Sequence, residues 1–104
     1  MFTGIVEEIG TVESIHPGDQ SIRLTLSLRK TGTGLKVGDS LSVNGCCLTV
    51  AELATKGRAK TVQFDLLQET WLLTNLQGCR AGSLVNLERS LEAGGRLGGH
   101  FVTG

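Results

Sequence analysis

The chain has 104 residues with ten basic and ten acidic side chains, so its formal net charge is zero. This length suits one domain with one hydrophobic core. The charge balance, with only one Trp, three Phe and no Tyr, argues against a nucleic-acid partner, which would need a basic surface or an aromatic stacking platform.

The apolar runs are shorter than a membrane span, and the first residues lack the charged and apolar regions of a signal peptide. We therefore expect a cytoplasmic protein with no membrane partner. Cys46, Cys47 and Cys79 are predicted to be free thiols, because adjacent residues on a strand face opposite sides and nothing indicates secretion. His16 and His100 are isolated in the sequence, so no metal site is predicted.

The first elements are two strands joined by a turn. Residues 2–15 predict a strand with a bend or bulge at residues 7–10, where the apolar pattern slips. Residues 16–19 contain Pro and Gly and predict a turn. Residues 22–28 alternate Ile or Leu with polar residues, which predicts a half-buried strand.

The middle of the chain carries an unusual change of pattern. Residues 30–39 predict a glycine-containing connection with room for one helical turn, and residues 41–53 predict a strand. Within that strand the apolar positions switch from odd to even numbers around Asn44 and Gly45. We interpret the switch as a bulge or local twist, because a period of two cannot change parity otherwise.

The switch directs Leu48 and Val50 into a core and turns Cys47 and Thr49 outward. Outward thiol and hydroxyl groups suit a binding surface, although an ordinary half-exposed strand has the same pattern.

Residues 60–67 predict the returning strand of a hairpin closed at Gly57. This register places Cys47 near Asp65 and Thr49 near Gln63, which would form a small polar patch.

A short helix is predicted over residues 68–77, ending at Gly78. Its expected apolar face consists of Trp71, Leu72, Leu73 and Leu76. Trp71 is interpreted as core or interface packing rather than as a ligand platform.

Residues 84–89 predict a last strand on which Glu88 and Arg89 are solvated charges. Residues 94–104 contain five glycines around His100 and indicate a structured segment of close backbone approach. The sum of short strands and few helices favours an all-β fold, a small closed or nearly closed antiparallel barrel, with a β-sandwich as the alternative.

Several segments together resemble the N-terminal half of the riboflavin synthase family. They occur in the family's order and span almost the whole chain: residues 1–6 (MFTGIV), 44–50 (NGCCLTV), 64–70 (FDL followed by ET), 85–89 (VNLER) and 98–104 (GGHFVTG). Each motif alone is weak, whereas five in order are highly specific.

The resemblance implies a six-stranded antiparallel Greek-key barrel with one or two short helices. Members of the family have two such barrels in tandem and a C-terminal helix, and they assemble as homotrimers. They convert two molecules of 6,7-dimethyl-8-ribityllumazine into riboflavin and 5-amino-6-(D-ribitylamino)uracil without a metal or an organic cofactor. One lumazine sits on an N-terminal barrel and the other on a C-terminal barrel of a neighbouring subunit.

The resemblance also implies a set of substrate-binding residues, which coincides in part with the outward patch. These residues are Gly4, Ile5, Val6, Cys47, Leu48, Thr49, Asp65, Leu66, Leu67, Gln68, Glu69, Thr70 and Gly104.

His100 and Cys47 are the candidate catalytic residues. The reaction needs a base with a pKa near neutrality, and His100 is the candidate of that type; alternatively, it orients a loop. Cys47 would act as a weak acid or nucleophile, with a packing thiol as the alternative.

The chain departs from the family because it ends at Gly104, and the second barrel is absent. We therefore expect residues 1–104 to be one barrel of a truncated two-barrel protein. Such a domain should bind riboflavin or lumazine, dimerise barrel to barrel and turn over little. The alternative functions are a non-catalytic chromophore carrier, like the lumazine proteins of luminous bacteria, and a structural barrel without a ligand.

Overall fold

A computed structural model describes residues 2–90 of the chain. Over these residues the fold is one antiparallel sheet with a short α-helix between its last two strands. The strands are β1 (Glu8–Pro17), β2 (Ser21–Leu28), β3 (Ser40–Val43), β4 (Cys46–Thr49), β5 (Glu52–Lys56), β6 (Ala59–Leu67) and β7 (Leu84–Arg89). The helix α1 covers Gln68–Leu73, and short 3₁₀ turns cover Lys30–Gly32 and Asn75–Gly78.

The sheet curls back on itself. Its strand order is β4-β3-β7-β1-β2-β6-β5. The two edge strands are consecutive in the chain, because only Val50 and Ala51 separate β4 from β5. The N–H of Ala51 donates to the carbonyl oxygen of Gln63 on β6 at 2.8 Å, so the two edges meet at this point. The predicted small antiparallel barrel is therefore confirmed.

The connectivity is that of a Greek key. If β4 and β5 are counted as one interrupted strand, the barrel has six strands. β3, β4–β5 and β6 follow one another as hairpins, and β7 returns through α1 to pair with β3 on its other side. This order is the four-strand arrangement that defines the motif.

The alternating strands β2 and β6 supply the largest share of the core, as predicted for β2. Their inward side chains are all buried: Ile22, Leu24, Leu26, Leu28, Val62, Phe64 and Leu66. Removing these apolar surfaces from water is the main driving force for closing the barrel.

The first strand differs from its prediction. β1 begins at Glu8, and its register shifts just after Val12, so the bulge predicted at residues 7–10 is wrong. Gly10 is buried, and a Cβ there would lie 2.6 Å from Cδ1 of Leu87. The glycine that disturbed the pattern therefore marks close packing between β1 and β7 rather than a bulge.

The turn after β1 starts later than predicted. His16 and Pro17 belong to the strand, and the N–H of Gly18 donates to the carbonyl oxygen of Ser21 at 2.7 Å. The helical turn expected within residues 30–39 is present as Lys30–Gly32.

The region predicted as one strand over residues 41–53 is a hairpin followed by a third strand. Asn44 and Gly45 both have positive φ, 50° and 83°, and Val43 pairs with Cys46 across them. Positive φ at both positions of a two-residue loop is the geometry that Asn-Gly favours. The parity switch is thus a tight turn, and our interpretation of it as a bulge is wrong.

The directions of the side chains after the turn are as predicted. Leu48 and Val50 are buried, whereas Cys47 and Thr49 are exposed.

The predicted hairpin at Gly57 is present, but the cross-strand pairs are wrong. Cys47 lies opposite Ser42, and Asp65 lies opposite Arg23. Gln63 lies opposite Glu52. The prediction extended one hairpin across a region that the chain divides between two pairs of strands.

The predicted helix is shorter than expected. Thr74 is extended after α1, and its hydroxyl accepts a hydrogen bond from the N–H of Leu76 in the following 3₁₀ turn. Trp71 and Leu76 are buried, and the role of Trp71 in packing is confirmed. Leu72 and Leu73 are 63% and 88% exposed, so the prediction of one continuous apolar face is wrong for these two residues.

Candidate functional site

The N-terminal segment is fixed to β7 by a glutamate. Leu87 points into the core, so its neighbour Glu88 points outward, yet only 7% of Glu88 is exposed. Its carboxylate accepts hydrogen bonds from the backbone N–H groups of Thr3 and Gly4 and from the Thr3 hydroxyl. These bonds, with the Thr3 side chain as the largest cause, hold the pKa of Glu88 below its ordinary value.

A second attachment follows three residues later. The N–H of Glu7 donates to the carbonyl oxygen of Leu87 at 2.8 Å, and Arg89 forms an ion pair with Glu7 at 2.8 Å. The hydrogen bond to Glu7 raises the pKa of Arg89. Ile5 and Val6 lie between the two attachments, with 68% and 50% of their surfaces exposed.

The prediction that Glu88 and Arg89 are solvated charges is therefore wrong. Alternation on β7 correctly places Glu88 on the outer face. The residues that cover it come from the start of the chain, and a local pattern does not reveal such a contact.

The strand register brings the N-terminal segment to the Asn-Gly hairpin. Ser42 on β3 lies opposite Glu88 on one side and opposite Cys47 on the other. Glu88 accepts the N–H of Gly4, so the row across β7, β3 and β4 connects Gly4 to Cys47 through Glu88 and Ser42. Residues 4–6 and 47–49 of the predicted site therefore lie on the same outer face of the barrel, with Ser42 between Glu88 and Cys47.

Asparagine side chains fix the hairpin turn. Oδ1 of Asn44 accepts the N–H of Asn86 at 2.7 Å, and the N–H of Asn44 donates to the carbonyl oxygen of Asn86 at 2.8 Å. The side chain of Asn75 donates to the carbonyl oxygen of Asn44 at 3.2 Å. The turn is therefore tied to β7 and to the 3₁₀ turn that follows α1.

A cavity of about 560 Å³ lies where these elements meet. One part of its lining is apolar and another carries amide, hydroxyl and carboxylate groups. The lining residues are Gly4, Val6, Ile9, Ser42, Asn44, Gly45, Asn75, Leu84, Asn86, Leu87 and Glu88. The volume lies within the range of small-molecule sites, and the mixture of surfaces suits a ligand with a flat apolar body and a polar edge.

Of the predicted binding residues, Gly4 and Val6 line this cavity. Residues 47–49 and 65–70 do not line it.

Asp65 forms two parallel hydrogen bonds with Arg23, both at 2.8 Å, which lower the pKa of Asp65. Arg23 also contacts Glu52 at 2.9 Å and Gln63 at 2.8 Å. The pKa of Arg23 is raised, chiefly by the hydrogen bond to Asp65 and further by Glu52.

The chain after Asp65 turns from β6 into α1. Leu66 is buried, whereas Leu67 is 61% exposed. Gln68, Glu69 and Thr70 are exposed on the first turn of α1. Some residues of β4 and β6 have Cα atoms within 8 Å of each other, so this surface lies beside the strand of Cys47 and Thr49.

Of the two candidate catalytic residues, only Cys47 lies within the residues that the structure describes. Cys47 is exposed, whereas Cys46 is half-buried, and burial together with the neighbouring Cys47 raises the pKa of Cys46. All three cysteines of the chain are free thiols. His100 and Gly104 lie outside residues 2–90.

Several lining residues were not among the predicted site residues. Ser42, Asn86 and Glu88 occupy outward positions of β3 and β7. The alternation of these strands predicts the outward direction of the three side chains but not their place in the cavity. Asn44 carried a clearer signal, because Asn-Gly between alternating residues is the strongest short-range mark of a hairpin. No sequence signal indicated Asn75.

Within residues 2–90, no group of three or more His, Cys, Asp or Glu side chains is placed to hold a metal ion. In the same part of the chain, no helix has the length and apolar character needed to cross a membrane.

Comparison with known proteins gives a family match over most of the chain. The sequence profile of the family described as "Lumazine binding domain" matches residues 3–90. This range contains all the lining residues of the cavity and residues 4–6, 47–49 and 65–70 of the predicted site.

Curated relatives align with the whole chain. A riboflavin synthase from Bacillus amyloliquefaciens is 46% identical over 106 residues, covering 100% of this chain and 46% of the relative. One from Bacillus subtilis (strain 168) is 45% identical over 104 residues, with 100% and 46% coverage. One from Mycobacterium bovis is 43% identical over 104 residues, with 100% and 50% coverage. The chain spans about half the length of the curated relatives it matches.

Proposed function

The chain belongs to the lumazine-binding domain family, and on that premise we propose that it is the N-terminal ligand-binding barrel of a riboflavin synthase. Its ligands are 6,7-dimethyl-8-ribityllumazine and the product riboflavin. The observation that carries the proposal is the match to the family over residues 3–90. The alignment of the whole chain with riboflavin synthases supports it.

The geometry of the barrel end supports binding of such a ligand. Backbone carbonyl groups around Gly4 and Val6 would accept hydrogen bonds from the polar edge of a flat ring, because the N–H groups of Thr3 and Gly4 donate to Glu88. Thr49 and Asp65, which are both exposed, would hydrogen-bond ring or ribityl groups. The remaining contacts come from Ile5, Cys47, Leu67, Gln68, Glu69, Thr70 and Gly104, and from backbone groups of Leu48 and Leu66, whose side chains are buried in the core.

The intact protein then catalyses the dismutation of two ribityllumazine molecules, one on each of two different barrels. Holding both substrates face to face supplies much of the acceleration, because it replaces an encounter in solution. This barrel binds one of the two reactants. Residues 1–104 alone therefore bind ligand with little turnover.

Exposed apolar side chains support self-association at the same end. Ile5, Val6, Ile9 and Leu84 are at least half exposed, and three of them line the cavity. Clusters of this kind mark protein interfaces. We propose that two copies of this barrel dimerise there, and that the intact protein forms a trimer.

The experiment is a fluorescence titration of residues 1–104 with riboflavin and with the ribityllumazine. We expect saturable changes in the spectra of both ligands. Unchanged spectra with both ligands would contradict the proposal.

A riboflavin-formation assay completes the test. We expect little product from residues 1–104 and turnover once the second barrel of a riboflavin synthase is supplied. Turnover by residues 1–104 alone contradicts the half-site proposal. No turnover with the second barrel, despite binding, identifies a chromophore carrier instead.

A further inference from the structure

Two carboxylates of this barrel hold backbone segments in the same way. Glu88 accepts two backbone N–H groups and a threonine hydroxyl from Thr3 and Gly4. Glu8 accepts two backbone N–H groups and a threonine hydroxyl from Arg29 and Thr31, at 2.6, 2.7 and 2.8 Å. The donor sets match, but only Glu88 lines the cavity.

We propose that Glu88 is a positioning residue for the ligand site, because it fixes the backbone of Thr3 and Gly4 and so sets the position of Ile5 and Val6. This inference rests on the proposed function, since it assigns a role within the same site.

Within residues 2–90, hydrogen bonds rather than burial hold this segment. Thr3, Gly4, Ile5 and Val6 are all exposed, so hydrophobic burial contributes little to their order. The segment lies outside the strands, and β1 begins only at Glu8. Exposed segments with few buried contacts open locally at low free-energy cost.

The two attachments determine the position of Ile5 and Val6. Glu88 holds residues 3 and 4, and the carbonyl oxygen of Leu87 holds Glu7. Ile5 and Val6 lie between these two contacts, so the backbone of this two-residue span is constrained at both ends. A ligand that meets a fixed span does not have to order it on binding, and that preorganisation increases affinity.

The test compares two matched variants, Glu88→Gln and Glu8→Gln. A carboxamide keeps the size of the side chain, but one of its two ends becomes a donor that faces N–H groups. Each variant disrupts the same kind of contact, and only one of them lies at the site. Ligand affinity is measured by riboflavin fluorescence and local order by amide hydrogen exchange, both on residues 1–104.

We expect Glu88→Gln to speed exchange at residues 3–7 and to weaken riboflavin binding by about tenfold, the loss typical of a hydrogen bond to a charged group. Glu8→Gln should speed exchange near residue 31 and change affinity less than about twofold. Equal losses of affinity in both variants, or unchanged affinity with a loosened N-terminal segment, would overturn the inference.

Two additional measurements distinguish failure of this inference from a failure to fold and from failure of the proposed function. If Glu88→Gln does not fold, Thr3→Val removes the hydroxyl contact alone and should weaken binding in the same direction, with Thr3→Ser restoring it; unchanged affinity in Thr3→Val overturns the inference. If the unmodified chain binds no riboflavin, the proposed function fails, whereas exchange at residues 3–7 still reports whether Glu88 holds the segment.

Discussion

The hydroxyl of Thr3 donates a 2.7 Å hydrogen bond to the carboxylate of Glu88, 85 positions later in the chain. This contact joins the start of the chain to the last strand of the barrel. The placement of the predicted binding residues near Gly4 therefore depends on β7, which pairs with both β1 and β3. A substitution in β7 is therefore expected to alter the candidate site even where the substituted side chain does not contact a ligand.

The attachment of the N-terminal segment should depend on pH. The pKa of Glu88 is lower in the folded protein than its ordinary value. Its stabilising contribution is therefore fully present above the ordinary glutamate pKa and is lost as the pH falls through the lowered pKa. We expect the amide NMR signals of Thr3 and Gly4 to titrate with that lowered pKa. Glu88→Gln should abolish this titration, and a titration at the ordinary glutamate pKa would contradict the prediction.

Gly10 should not tolerate a side chain. A Cβ at this position would lie 2.6 Å from Cδ1 of Leu87 and 3.1 Å from the carbonyl oxygen of Ser27. Leu87 is fully buried and has little room to move, so Gly10→Ala should lower the free energy of unfolding by about 1–3 kcal/mol. Urea unfolding measures the change.

The matched control for this prediction is Gly78→Ala, because a Cβ at Gly78 meets nothing within 4 Å. We expect this variant to change stability by less than about 0.5 kcal/mol. Equal stability of the two variants would show that Leu87 relaxes and that β1 and β7 do not need a glycine at their contact.

Much of the barrel could be predicted from the sequence because its strands follow a local rule. The alternation in β2 predicted its inward side chains, and the even-numbered pattern after Gly45 predicted the outward direction of Cys47 and Thr49. Both predictions depend only on the two-residue period of a strand. The predicted binding residues around Gly4 and Cys47 were brought to one outer face of the barrel by the register of β3.

The remaining features depend on contacts between distant segments. Alternation gave the face of Glu88 but not the residues that cover that face. The pairing of Asp65 with Arg23 required the register between β2 and β6, and one hairpin does not determine that register. The predicted patch failed as a set of pairs because β4 pairs with β3 and only β5 pairs with β6, whereas the side-chain directions depend only on the period of the strand.

Thr49 and Asp65 should contribute to affinity rather than to folding. The double variant Thr49→Val with Asp65→Ala is expected to weaken riboflavin binding by about tenfold, through the loss of hydrogen bonds to the ligand. Asp65 and Arg23 are exposed by 45% and 36%, so their ion pair contributes less than about 1 kcal/mol to stability. Thermal unfolding should therefore change little.

Arg23→Gln is the control that separates these roles, because it breaks the same ion pair and leaves Asp65 in place. We expect it to retain most of the affinity for riboflavin. If the double variant binds riboflavin as tightly as the unmodified chain, neither Thr49 nor Asp65 belongs to the proposed site. If Arg23→Gln loses as much affinity as the double variant, the ion pair acts by holding the strands rather than by contacting the ligand.

Cys47 should be the first thiol to react and should be protected by ligand. It is exposed, whereas Cys46 and Cys79 are half-buried, and burial raises the pKa of Cys46 and so reduces its reactive thiolate. We expect iodoacetamide to modify Cys47 first and saturating riboflavin to slow that reaction, with Cys79 as the internal reference in mass spectrometry. Cys47→Ser should still bind riboflavin if the thiol only lines the site. Equal labelling of Cys47 with and without riboflavin would place it outside the site, because a bound ring beside the hairpin would shield its sulfur.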